Sequence, residues 1–436
     1  MKFTSACTLA CLGPLAQACL LPEEAAHGKM AIRRRQAGAD NGFAIGKTDR
    51  FEGGKLFPRG LGTQSNETRF DSILSVEEIR SGLQGLVNEY GIETFETPYV
   101  THENATIFGG KVGGQGSCNE AYRVYLNAAI HARERGSSDN LLYFISDLLY
   151  ADKHKTGLTY GGRSYSRCDV SKALGTGIVF LPLSNPDGVA YDQATNECWR
   201  KNRNPAGAVD LNRNFDFLWN LTKFTPTVAP NVASEDPEAE TFHGVAPFSE
   251  PESQSIKWVM DTFNKVRWFM DIHSFAGVVL YSWGSDENQS RDTNMNFLNP
   301  EYDASRGLMP DSPAEGLVYG EYIPSKDWSE VIYAGMRTGN AMDGATGRHY
   351  EVTQAAYLYP TSGASDDYAY SRHFADPSLN RINGYTVEFG FGNENASCPF
   401  YPTEEQYHLN ILETNAGFME FLLSAAEIGL GEPAIC

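Results

Sequence analysis

The chain has 436 residues, of which 41% are hydrophobic, with 35 Lys and Arg against 55 Asp and Glu, a formal net charge of −20. That apolar content excludes a disordered chain and a mini-protein that needs staples to fold. The acidity excludes the basic face that a nucleic-acid partner requires, while suiting solubility and cationic ligands.

In chain order, Met1-Lys2 precedes an apolar run from Ala6 to Ala18 that ends in Ala16-Gln17-Ala18. This small-x-small ending predicts a secretory signal peptide over 1–18. The run is shorter than the roughly 20 residues a membrane span needs, so no membrane association is expected. A secreted, extracellular protein is the expectation. Sequons at Asn66, Asn104, Asn220, Asn288 and Asn395 then suggest a glycoprotein. Cys7 and Cys11 leave with the signal, and Cys19, at its edge, leaves the disulfide pairing of Cys118, Cys168, Cys198, Cys398 and Cys436 open. Residues 19–70 are rich in Gly and charge and read as a short pro-segment or N-terminal extension. Arg33-Arg34-Arg35 within them is either a processing site or a solvated basic cluster.

At Ser75 the pattern changes. Ser75-Val-Glu-Glu78 is a capping box, with Ile79, Leu83, Leu86 and Val87 following at helical spacing. A strand is predicted over 123–130, a helix over 140–150, and a short buried strand over 178–183 ended by the turn Asn185-Pro-Asp-Gly188. A helix over 251–264, strands over 266–273 and 385–389, and a closing helix over 403–428 complete the series. Strands alternate with helices, so the predicted fold is α/β. It is a single domain over 71–436 with a mixed, mostly parallel sheet covered by helices on both faces. Residues 285–345, irregular and polar, read as a surface insertion.

Chemistry concentrates at the strand ends. His131-Ala-Arg-Glu134 follows the strand ending at Ile130, and a His and a Glu three apart can point at one ion. Zinc takes imidazole nitrogen and carboxylate oxygen, with a position left for water in catalytic sites. His273 closes a second apolar strand, where open α/β sheets place their ligands. Glu388 lies between Val387 and Phe389, an expensive setting for a carboxylate without a partner or a task. Trp199-Arg-Lys-Asn-Arg203 and Asp210-Leu-Asn-Arg-Asn-Phe215 gather basic side chains suited to an anion, or else to a surface salt-bridge cluster.

With these motifs in this order, joined by Leu358-Tyr-Pro and Thr386-Val-Glu-Phe389, the chain resembles the zinc carboxypeptidases of the pancreatic A and B type over residues 70–425. The resemblance implies a zinc metallocarboxypeptidase binding one Zn2+ per chain through His131, Glu134 and His273. Asp210 would orient a ligand imidazole. Glu388 would be the general base and acid, and Arg203 the group stabilising the oxyanion. Asn212, Arg213 and Tyr359 would grip the terminal carboxylate, with Arg133, Arg200 and Ser274 in further subsites. Asp366 falls at the pocket floor, which implies a B-like preference for C-terminal Lys or Arg. The alternatives are A-like or mixed specificity for aromatic and aliphatic residues, or a non-catalytic binding protein on the same fold. Peptide and protein C-termini are the expected partners, and a monomer the expected state. Residues 19–70 are shorter than the family's globular pro-domain, so classical zymogen control is not expected. The stretch from His273 to Tyr359 is longer than usual.

Overall fold

A computed structural model describes residues 40–65, 68–114, 116, 118–312 and 318–433. The expected signal peptide, Arg33–Arg35, Cys19, Cys436 and Asn66 lie outside the described residues.

Twelve strands are described. They are β1 (Glu93–Val100), β2 (Thr106–Val112), β3 (Val124–Ala128), β4 (Leu158–Tyr160), β5 (Arg163–Tyr165), β6 (Ile178–Leu181), β7 (Trp268–His273), β8 (Val278–Tyr281), β9 (Asn288–Gln289), β10 (Glu321–Tyr322), β11 (Glu351–Gln354) and β12 (Asn383–Glu388). Eight of them form one sheet in the order β1-β2-β6-β3-β7-β12-β8-β11. The central run β6-β3-β7-β12 is parallel, and antiparallel pairings at β1–β2, β2–β6 and β12–β8 make the sheet mixed. Helices flank it. β3, β6 and β7 are buried at every position, which is why they read as near-continuous apolar runs.

Local signals place the helices. Ser75 caps the helix Val76–Tyr90, and Thr403 caps Glu404–Ile428, both through complete capping boxes. The expected turn at Asn185 is instead the start of a helix, Pro186–Thr195. The Asn185 side chain accepts from Gly188 N–H, and Pro186 occupies the first helical position. A capping Asn with Pro after it serves a turn or a helix start equally well, and the residues downstream decide between them.

Residues 285–345 are not irregular throughout. Ser325–Thr346 is a 22-residue helix that buries Val331, Ala334, Gly335, Thr338, Gly339, Ala341 and Met342. Its buried stripe is mostly small, so it packs closely yet scarcely registers as apolar periodicity. Gly417 on the closing helix meets Met342 and Thr338 there. The 40–65 segment is likewise built into the domain: Phe51 and Leu61 join the core, and Arg50 pairs with Glu78 at 2.5 Å.

Cys198 and Cys398 form a disulfide, Cys118 is also disulfide-bonded, and Cys168 is free and exposed. Asn104, Asn220 and Asn395 are exposed or partly exposed. Asn288 is buried, with Nδ2 donating to the Ser282 carbonyl and Oδ1 accepting from Trp283 N–H, so this sequon is structural. No helix among the described residues is long and apolar enough to cross a membrane.

Candidate metal centre

The carboxyl ends of β3, β7 and β12 bring the chemistry together. Beyond β3 the backbone turns sharply at Ala129, whose φ is +59°. Three hydrogen bonds hold that turn: Ala129 N–H to Ser137 Oγ, Asn185 N–H to the Ala129 carbonyl, and Asn185 Nδ2 to the Ile130 carbonyl. The helix Ser137–His154 begins immediately afterwards. His131 and Glu134 therefore sit on a short, braced link between strand and helix.

His131 Nδ1 lies 2.7 Å from Glu134 Oε1 and 3.1 Å from His273 Nδ1, and His273 Nδ1 lies 3.1 Å from Glu134 Oε2. All three residues are buried. Among the described residues they are the one group of His, Cys, Asp or Glu side chains suited to holding a metal ion. Tetrahedral zinc with bonds of about 2.0–2.1 Å separates its donors by roughly 3.4 Å, so this set needs only a slight opening to take it. Two imidazoles and a carboxylate also match zinc's preferred donors.

The surroundings prepare the donors. His131 Nε2, on the far side of the ring, is 3.0 Å from Asp210 Oδ1, which fixes the tautomer that leaves Nδ1 facing the centre. Asp210 in turn accepts from Arg200 Nε at 3.1 Å and from Asn212 N–H at 3.1 Å. Burial alone would raise the Asp210 carboxyl, but Arg200 and Arg213 outweigh it and hold the group well below the usual range. Burial would likewise raise Glu134, and the imidazoles of His131 and His273 overcome it, keeping the carboxylate ionised. Glu134 Oε2 also accepts from Ser274 N–H at 3.2 Å.

Glu388 is the register partner of His273 on the neighbouring strand and is partly exposed. Asn212 and Arg213 lie in the turn that Asp210 caps. Asn212 Oδ1 accepts from Ser365 N–H at 2.8 Å, which leaves its amide N–H groups as donors. Arg213 is buried, donates to the carbonyls of Val232 and Asn212, and has no carboxylate at ion-pair distance among the described residues. The Tyr359 ring centre is 5.9 Å from its guanidinium. Asp366, the second residue of the helix Ser365–Ala375, is buried and accepts from Thr386 Oγ1 and Asp367 N–H. Arg133 stacks over Phe400 at 4.3 Å, and its Nη1 lies 3.8 Å from Glu240.

The two arginines of Trp199-Arg-Lys-Asn-Arg203 part company. Arg200 is buried, and its Nη1 comes within 3.9 Å of Glu134 Oε1. Arg203 turns away: it lies over the rings of Tyr191 and Trp199 and pairs with the exposed Glu103 at 3.5 Å. The expected oxyanion role of Arg203 has no support in this geometry, because three residues along an irregular loop do not return a side chain to the same side.

Sequence reading gave Asp271, two residues before His273, no role. The two-residue period of a strand puts both on one face, and Asp271 Oδ2 is 3.3 Å from His273 Nε2. The Asp-x-His spacing was the available signal.

Comparison with known proteins agrees with this centre. A family model described as zinc carboxypeptidase matches residues 99–416. Carboxypeptidase O of Bos taurus is 26% identical over 337 residues, 75% of this chain and 71% of that protein. Zinc carboxypeptidase A 1 of Drosophila melanogaster is 27% identical over 289 residues, 64% of this chain and 54% of that protein, so the match spans about half of its length. The crystal structure of carboxypeptidase A from Helicoverpa armigera superposes with a TM-score of 0.59 at 23% identity, covering 84% of this chain and 77% of that one, a likeness of fold.

Proposed function

This chain belongs to the zinc carboxypeptidase family, and from that premise we propose that it is a secreted exopeptidase that removes C-terminal residues from peptides and proteins, preferring Lys and Arg. The observation that carries the reading is the hydrogen bond from Ser365 N–H to Asn212 Oδ1, which ties the turn holding the buried Arg213 to the helix start that carries the buried Asp366. Arg213 offers a planar fork to a terminal carboxylate, with Asn212 beside it and Tyr359 above. That clamp selects the last residue of a chain.

Bound at His131, Glu134 and His273, zinc supplies Lewis acidity and lowers the pKa of water. Glu388, beside His273 in strand register, takes a proton from the attacking water and returns it to the leaving amine. Arg200, held by Asp210 and facing Glu134, donates to the oxygen on which negative charge develops. We assign that role to Arg200 in place of Arg203. Arg133 and Ser274 contact the substrate upstream of the cut.

Asp366 supports the basic preference. Burial pushes its carboxyl above the ordinary range, and the nearby Asp271 adds to this. A bound Lys or Arg offers the countercharge that relieves that cost, whereas an apolar side chain leaves the carboxylate unpaired. Asp366→Ile is expected to move preference from basic to apolar termini, read as kcat/KM on peptides differing only in the last residue. Unchanged selectivity would remove Asp366 from the pocket.

Secretion is supported by the disulfides and by the accessible Asn104, Asn220 and Asn395. The test of the whole reading is residue release from matched peptides, with and without a chelator. Release of Lys and Arg that stops on chelation is the expected result. Release of Phe and Leu would keep the exopeptidase and overturn the pocket argument, and release that persists without metal would overturn the zinc mechanism.

A further inference from the structure

Polar side chains interrupt the apolar centre of the sheet in one row. Asn127 on β3, Asp271 on β7 and Thr386 on β12 are register partners across three adjacent strands. The row lies two residues before His273 on β7 and before Glu388 on β12, one layer beneath the reacting groups. Asp271 at its centre is fully buried. A carboxylate there is costly unless its oxygens are satisfied. Oδ1 accepts from Asn127 Nδ2 at 2.8 Å, and that amide is itself oriented by Tyr125 OH on Asn127 Oδ1. Oδ2 accepts from Ser365 Oγ at 2.5 Å. The same oxygen lies 3.3 Å from His273 Nε2, a buried ring nitrogen with no hydrogen-bond partner among the described residues.

We infer that Asp271 is a positioning carboxylate that aims the His273 imidazole at the metal and ties it, through Ser365 and Asn212, to the clamp for the substrate's terminal carboxylate. The two ligand imidazoles are then oriented in the same way, His131 by Asp210 and His273 by Asp271. In each case the outer nitrogen meets a buried carboxylate while Nδ1 faces the centre. Ser365 serves both sides: its hydroxyl holds Asp271, its N–H holds Asn212, and its neighbour Asp366 accepts from Thr386 in the same polar row. A shift of Ser365 on substrate binding would therefore reach the metal ligand through its hydrogen bond to Asp271 and the 3.3 Å contact of Asp271 with His273.

This inference rests on the proposed zinc site, so wild-type zinc content is measured first. Wild-type protein that binds no zinc would refute the site itself. Given a zinc-binding wild type, Asp271→Asn keeps the shape and removes the charge. Its zinc affinity, read by competition with a chromophoric chelator, is expected to fall about 10–100-fold, with the melting temperature of the metal-free protein held or raised. Wild-type zinc affinity together with a lowered metal-free melting temperature would make Asp271 merely structural and overturn the inference. Ser365→Ala tests the tie to the clamp and carries the experiment if Asp271→Asn does not fold. It is expected to weaken zinc several-fold and to raise KM more than it lowers kcat. Unchanged zinc affinity in Ser365→Ala overturns the coupling.

Discussion

Glu388→Gln is expected to bind zinc as the wild type does and to lose about 10²–10⁴ in kcat, the range that positioned proton transfer contributes. The substitution keeps volume and hydrogen-bonding shape and removes only the capacity to take a proton. The metal group His131, Glu134 and His273 does not include Glu388, so zinc content and turnover should separate. The measurement is metal content beside kcat on a peptide ending in Arg. Turnover near the wild-type level would show that the proton goes elsewhere. Loss of zinc along with turnover would make Glu388 part of the metal's support.

The second large effect divides the two neighbouring arginines. Arg200→Lys is expected to lower kcat by about 10²–10³, the cost of removing one oxyanion donor. Lysine retains a positive charge for the buried Asp210 but cannot present a fork of donors. Alanine would leave Asp210 buried without its partner, so a loss of stability would confuse the reading. Arg203→Ala, by contrast, should change kcat no more than about two- to threefold, as for an exposed ion pair. Its partner Glu103 is half exposed and the pair spans 3.5 Å. A matched melting curve controls for folding. If Arg203→Ala were the damaging variant, the oxyanion assignment would return to it.

Legibility in the sequence followed how far apart the cooperating residues lie. Caps, strand periods and the His131-x-x-Glu134 link are local, and each expresses itself within a few residues. Ser75, Thr403 and the apolar strands were therefore read correctly to within a turn or so. The helix Ser325–Thr346 was not, because its buried face is mostly Ala, Gly and Thr, whose burial depends on a partner helix far along the chain. Asn288 misled for the same reason. A sequon describes three residues, and burial of the asparagine depends on Trp283 and Ser282 folding back over it.

By itself the sequence determined the class of fold and the three side chains suited to the metal. His131 and Glu134 stand at a short spacing, and His273 closes an apolar strand, so each is marked by the local geometry of strand and turn. Only the tertiary structure decided which arginine faces the ligands, that Asp271 lies behind His273 in a polar row shared by three strands, and that Ser365 holds both Asn212 and Asp271. Those relations depend on strand register and loop path. They are set by packing between segments far apart in the chain, and no local pattern encodes the direction in which a side chain will then point.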